Sequence, residues 1–106
     1  MKIVATTSCP TGIAHTYMAA ENMEKEAKKH NVEIKVETAG SIGIENALSK
    51  KDIEEADAVI VAADARVEME RFKGKPLKEV SVSYAIKHAD TLIQEAVDGK
   101  FQTYEG

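Results

Sequence analysis

Ala58-Val59-Ile60-Val61-Ala62 is an unbroken apolar run with Asp57 before it and Asp64 soon after. Successive strand residues point to opposite faces, so such a run must be covered on both sides. That is the habit of interior strands in parallel sheets. Ile3-Val4-Ala5, within Lys2–Thr7, repeats the feature near the N-terminus. Val32, Ile34 and Val36 instead alternate with Glu33, Lys35 and Glu37, the pattern of a half-buried strand further out. Pro76–Val80 reads as a fourth, short strand, and its leading proline points to a sheet edge.

Helical patterns fall between these runs. Ala14–His30 carries Ala19, Ala20, Met23 and Ala27 on one side, and the small alanines among them let a helix lie close on a sheet. Ser49 with Asp52 resembles a helix start, leading into a short helix through Ile53–Ala56. Ala63–Gly74 is charged and reads as loop with a helical turn. Val82, Ala85, Ile86, Ala89, Leu92, Ile93, Ala96 and Val97 follow helical spacing, with Ser81 to cap the start and Gly99 to end it. The tail Lys100–Gly106 is expected to fray.

Alternating strands and helices predict an α/β fold. The expected architecture is a Rossmann-like three-layer αβα sandwich on a four-stranded parallel sheet, order 2-1-3-4, with residues 1–106 as one domain. Right-handed crossovers then put the topological switch point between the first and third strands. Ligands of such sheets bind there, at the carboxyl ends of the strands. Cys9 follows the first of those ends and Asp64 the other.

The chain has 106 residues, a formal net charge of −4 and a pI near 5.4. No basic stripe offers itself to nucleic acid, and no polybasic segment to a membrane surface. The single cysteine cannot form an internal disulfide, which suits a reducing compartment. The N-terminus turns polar too soon for a signal peptide, and no apolar run approaches a membrane span. The expected location is the cytoplasm. Cys9, His15, His30 and His88 make no spacing typical of zinc.

The chemistry concentrates in Ser8-Cys9-Pro10-Thr11-Gly12-Ile13-Ala14-His15-Thr16. Serine, proline, threonine and glycine around the thiol are turn residues, not core residues. A strand-to-helix turn directs backbone N–H groups at an anion and favours thiolate. A nucleophile inside a phosphate cradle suggests phosphoryl transfer to sulfur. Low-molecular-weight cysteine phosphatases share this placement with a C-x5-R-[ST] loop. Here His15 stands where the arginine would be, with Thr16 in the hydroxyl position. Without that bidentate clamp, hydrolysis becomes the alternative and carriage of phosphate the main reading.

The run Cys9-Pro10-Thr11-Gly12-Ile13-Ala14-His15-Thr16 resembles the active-site loop of the fructose-family enzyme IIB of the bacterial sugar phosphotransferase system. Gly40-Ser41-Ile42-Gly43, the segment from Asp52 to Asp64, and Arg71-Phe72-Lys73-Gly74-Lys75-Pro76 resemble further parts of it, so about residues 2 to 98 are covered. The resemblance implies that a phosphohistidine on enzyme IIA donates to Cys9. The phosphocysteine then delivers to a sugar, fructose by resemblance, held by the membrane-embedded enzyme IIC. It implies no metal and no cofactor. Pro10, Thr11, Gly12, Ile13, Ala14, His15 and Thr16 are the expected phosphate-binding residues: Thr11 to Thr16 act through backbone N–H groups and threonine hydroxyls, and Pro10, which has no N–H, shapes the turn. His15 either activates the thiol or touches the phosphoryl group, or it faces a partner or packs locally. Arg66 assists phosphate or partner contact, or is a solvated loop charge or an ion-pair partner, while Asp64 braces its loop. His30, at the end of the first helix where a cation suits the helix dipole, is expected to be structural, His88 is expected at the surface, and Met23 in the core. Met18 is expected in an exposed apolar patch around Cys9 that docks both partners in turn. A monomer leaves Cys9 open to each.

Overall fold

The computed structural model describes residues 1–9, 13–40, 43–65 and 67–106. β1 (Lys2–Ser8), β2 (Glu33–Gly40), β4 (Ala58–Ala63) and β5 (Pro76–Val80) run parallel, joined through α1 (Ile13–Lys29) and α2 (Lys50–Glu55). α3 (Val82–Lys87) and α4 (Ala89–Val97) follow β5. A four-stranded all-parallel sheet is nevertheless incorrect. The sheet is six-stranded and mixed, in the order β3-β2-β1-β4-β5-β6. β3 (Gly43–Glu45) returns antiparallel along β2, and β6 (Gln102–Thr103) antiparallel along β5. The physical reason they escape a periodicity reading is length: three and two residues cannot display alternation. Such short strands cover the edges that longer ones would leave exposed.

Two expectations fall with that correction. Pro76 begins β5, but β5 is not an edge, because Pro76 pairs with Thr103 on the side away from β4. The C-terminal tail is tied to the sheet as far as Tyr104. Tyr104 N–H donates to the Lys75 carbonyl at 2.9 Å, and Gly74 N–H to the Tyr104 carbonyl at 2.8 Å. Phe101 and Tyr104 pack against the cores on opposite sheet faces.

The expected last helix is two. The chain breaks at His88 (φ −128°, ψ 35°). Asn22 of α1 donates its side-chain N–H to the Ile86 carbonyl at 2.9 Å, occupying an acceptor at the break. The apolar stripe survives it: Val82 and Ala85 before the break, and Ala89, Leu92, Ile93 and Ala96 after, are all buried.

Each face of the sheet has its own core. Ile3, Ala5, Ile60 and Ala62 meet Ala19 and Met23 of α1 and Leu92 and Ile93 of α4. Val4, Val59 and Val61 meet Ile53 of α2 and Phe72, in a 3-10 turn at Glu70–Phe72. Both faces of β1 and β4 are therefore covered, as their unbroken apolar runs require. Ser49 and Asp52 form the reciprocal cap that opens α2. Lys35 and the Ser49 backbone and hydroxyl hold the Asp52 carboxyl far below its usual range, with Lys2 adding to them.

Candidate functional site

Cys9 leaves β1 at the centre of the sheet. Ser8 pairs with Ala39 of β2 on one side and Ala63 of β4 on the other. Ala39 pairs in turn with Ile44 of β3. A row Ile44, Ala39, Ser8, Ala63 thus crosses the sheet one residue before the thiol. The chain departs from β1 toward β2 by one crossover and reaches β4 on the opposite flank, which makes this carboxyl end a switch point. Cys9 is 6% exposed and packs with the α1-side core. α1 begins at Ile13, four positions later, with no acidic residue in its first turn to oppose an anion.

The expected phosphate-binding residues divide. Pro10, Thr11 and Gly12 lie outside the described residues, as do Ser41, Ile42 and Arg66. Ile13 opens the helix, Ala14 and His15 are exposed, and Thr16 is fully buried. His30 sits after the end of α1, and His88 is exposed at the break between α3 and α4.

Beside these, α1 presents Tyr17 (39% exposed) and Met18 (48%), and β3 presents Ile44 (62%). Tyr17 donates its hydroxyl to Glu45 at 2.6 Å, which ties α1 to the tip of β3. The glutamate keeps that phenol protonated above its usual range. Met23 is fully buried. On the other flank the Asp64 N–H donates to the Ser8 carbonyl at 2.9 Å. The Asp64 carboxylate accepts the Val82 N–H at 3.1 Å, bracing the start of α3 against the end of β1.

The site rests on a group that alternation misplaces. Glu37 reads as an outward residue of β2, yet it is 3% exposed. Its carboxylate accepts from Arg71 Nη1 (3.0 Å) and Nη2 (2.5 Å), from the Leu48 N–H (3.0 Å) and from the Thr6 hydroxyl (2.8 Å). Burial pushes the Glu37 carboxyl up, but Arg71, Leu48 and Thr6 outweigh it and hold it below its ordinary value. Arg71 is raised by the same bond. Three segments distant in sequence therefore meet under β1, three residues before Cys9. Nothing local to Glu37 signals this, since its partners come from elsewhere in the chain.

Among the described residues, no group of three or more His, Cys, Asp or Glu could hold a metal ion, and no helix is long and apolar enough to cross a membrane.

Residues 4–95 match the family model described as PTS system, Lactose/Cellobiose specific IIB subunit. The chain is 52% identical over 105 residues to the PTS system fructose-specific EIIABC component of Bacillus subtilis, covering 99% of this chain and 16% of that protein's length. It is 50% identical over 95 residues to the PTS system fructose-like EIIB component 2 of Escherichia coli, covering 89% of this chain and 90% of that protein. A crystal structure of a domain from the fructose-specific IIABC component of Borrelia burgdorferi superposes with a TM-score of 0.92 at 47% identity, covering 97% of each chain.

Proposed function

Because this chain belongs to the enzyme IIB family of the bacterial sugar phosphotransferase system, we propose that Cys9 is its phosphoryl carrier. The family's domains transfer phosphoryl groups during sugar uptake, and they work with enzyme IIA and enzyme IIC components, which the Bacillus relative carries fused. For this chain the donor is a phosphohistidine of enzyme IIA. The Cys9 thiolate attacks phosphorus, an S–P bond forms and the N–P bond breaks, and the departing imidazole nitrogen takes up the equivalent of the proton the thiol gave up, leaving neutral histidine on the donor. A sugar hydroxyl held by enzyme IIC then attacks. The O–P bond forms, the hydroxyl proton leaves, and the thiolate returns. Fructose is the sugar named in the relatives.

The observation that carries this reading is the position of the one cysteine. It lies at the carboxyl end of the central strand, at the switch point, followed by a helix whose first turn holds no carboxylate. Transfer needs a thiol that two partners reach in turn, and since Cys9 is 6% exposed and not open, each partner must uncover it on docking. The exposed Tyr17, Met18 and Ile44 provide apolar surface on the same end of the sheet. Exposure of His15 favours contact with the partner or the phosphoryl group over local packing. Thr11 through Thr16 are the proposed cradle, by backbone N–H groups and hydroxyls. The working form is a cytoplasmic monomer, one domain over residues 1–106, without nucleic acid.

The test is incubation of wild type and Cys9→Ser with phosphorylated fructose-class enzyme IIA, followed by intact mass. A phosphate adduct on wild type alone, discharged by sugar plus enzyme IIC membranes, is the expected result. Equal labelling of both proteins moves the site off Cys9. Free phosphate without an adduct identifies a hydrolase instead.

A further inference from the structure

We propose that the α2 face of the sheet carries a second binding site, for an organic anion with an apolar body. Its basis is a cavity of about 430 Å³ between α2 and the segment joining the 3-10 turn to β5. That volume is in the range of small-molecule sites. Leu48 and Ile53 form its floor, and both belong to the core under Val4, Val59 and Val61. Cys9 belongs to the core on the opposite face. The two sites are therefore separated by the sheet.

The rim is cationic. Lys50, Lys73 and Lys75 line it against one acid, Glu54. Among the described residues none of these three lysines has a carboxylate within ion-pair distance, whereas Lys2, Lys29, Lys35 and Lys78 each do. Lys75 is held in place by the carbonyls of Glu54 (2.8 Å) and Ala56 (3.1 Å). This positive rim stands on a chain whose net charge is −4, so it is a local feature and not a general bias. Arg71 lines the same cavity with its charge already met by Glu37. Its Nε is a buried donor without an acceptor among the described residues.

The floor decides the ligand class. Leu48, Ile53 and the lysine stems are apolar, and they offer nothing to the hydroxyls of a sugar phosphate. An aryl or acyl body bearing sulfonate, phosphate or carboxylate satisfies both floor and rim.

The test titrates the whole chain with anilinonaphthalene sulfonate, followed by fluorescence and by backbone amide NMR. Saturable binding is expected, with shifts at Leu48, Ile53, Lys73 and Lys75 and none at Ala14 or Met18. Neutral phenylnaphthylamine should bind about tenfold more weakly or worse, as should the probe to the Lys50→Glu, Lys73→Glu double variant. Both lysines are exposed, so the variant's melting temperature should be unchanged. Inorganic sulfate alone should leave those amides unmoved. Absence of saturable binding, shifts centred on Met18, equal binding by the neutral probe or the double variant, or equal binding of sulfate would each overturn the proposal.

Discussion

Arg71 grips both oxygens of Glu37 from 34 residues away, and the two ends of that bond differ sharply in exposure. The Glu37 side chain is 3% exposed and that of Arg71 is 29%. The pair is therefore asymmetric toward mutation. Arg71→Met strands a carboxylate in a place water does not reach, a loss of about 3–5 kcal/mol for a buried pair. Glu37→Gln leaves a guanidinium that can turn outward and rehydrate, and a carboxamide oxygen that still accepts from Leu48, at about 1–3 kcal/mol. Urea unfolding of both variants checks this, and equal losses would contradict it.

The same pair sets an acid dependence of stability. Glu37 is held below its ordinary value of 4.5, so the unfolded chain takes up this proton at higher pH than the folded one. Stability from Glu37 is thus fully present above the ordinary value and is lost as pH falls through the folded one. In Arg71→Met the hydrogen bond and charge of Arg71 are lost while burial remains, so the folded value rises toward the ordinary one. The acid-linked loss contributed by Glu37 then shrinks, and the variant's stability falls less steeply than the wild type's as the pH is lowered. Unfolding free energies from about pH 3 to 7 for wild type and variant should show this difference in slope.

The tail gives a third expectation. β6 pairs with Pro76 and Leu77, and Phe101 and Tyr104 each cover part of a core. Truncation after Lys100 removes both aromatic contacts and opens the long side of β5. Partial exposure of two large side chains corresponds to a loss of about 2–4 kcal/mol. A truncated chain that melts with the wild type would mean the tail adds nothing.

How much of this was legible follows from where each signal lies. β1 and β4 announce themselves because burial on both faces leaves an unbroken apolar run, and α1 because burial of one stripe writes a period along 17 residues. The Ser49–Asp52 cap is legible because both of its partners lie within one turn. Cys9 stands out because the residues around it are poor core residues. β3 and β6 are too short to carry a period. The break at His88 depends on Asn22, 64 residues from the carbonyl it binds. Glu37 is hidden for the same reason: alternation predicts its exposure correctly only if no cation and hydroxyl arrive from other segments.

The exposed apolar surface on α1 and β3 supplies the last prediction. Met18 and Ile44 flank the end of the sheet from which Cys9 emerges, and their exposure supports neither core. Replacing either by glutamate should leave the melting temperature nearly unchanged, as surface substitutions do. If this surface receives enzyme IIA, the second-order rate of Cys9 phosphorylation should fall by about tenfold or more, the scale of losing one anchor contact. Alkylation of Cys9 by iodoacetamide separates docking from a damaged thiol. Slow phosphorylation with normal alkylation places the defect in partner binding. Parallel slowing of both reactions would assign these side chains to the thiol's own environment, and unchanged phosphorylation would remove them from the docking surface.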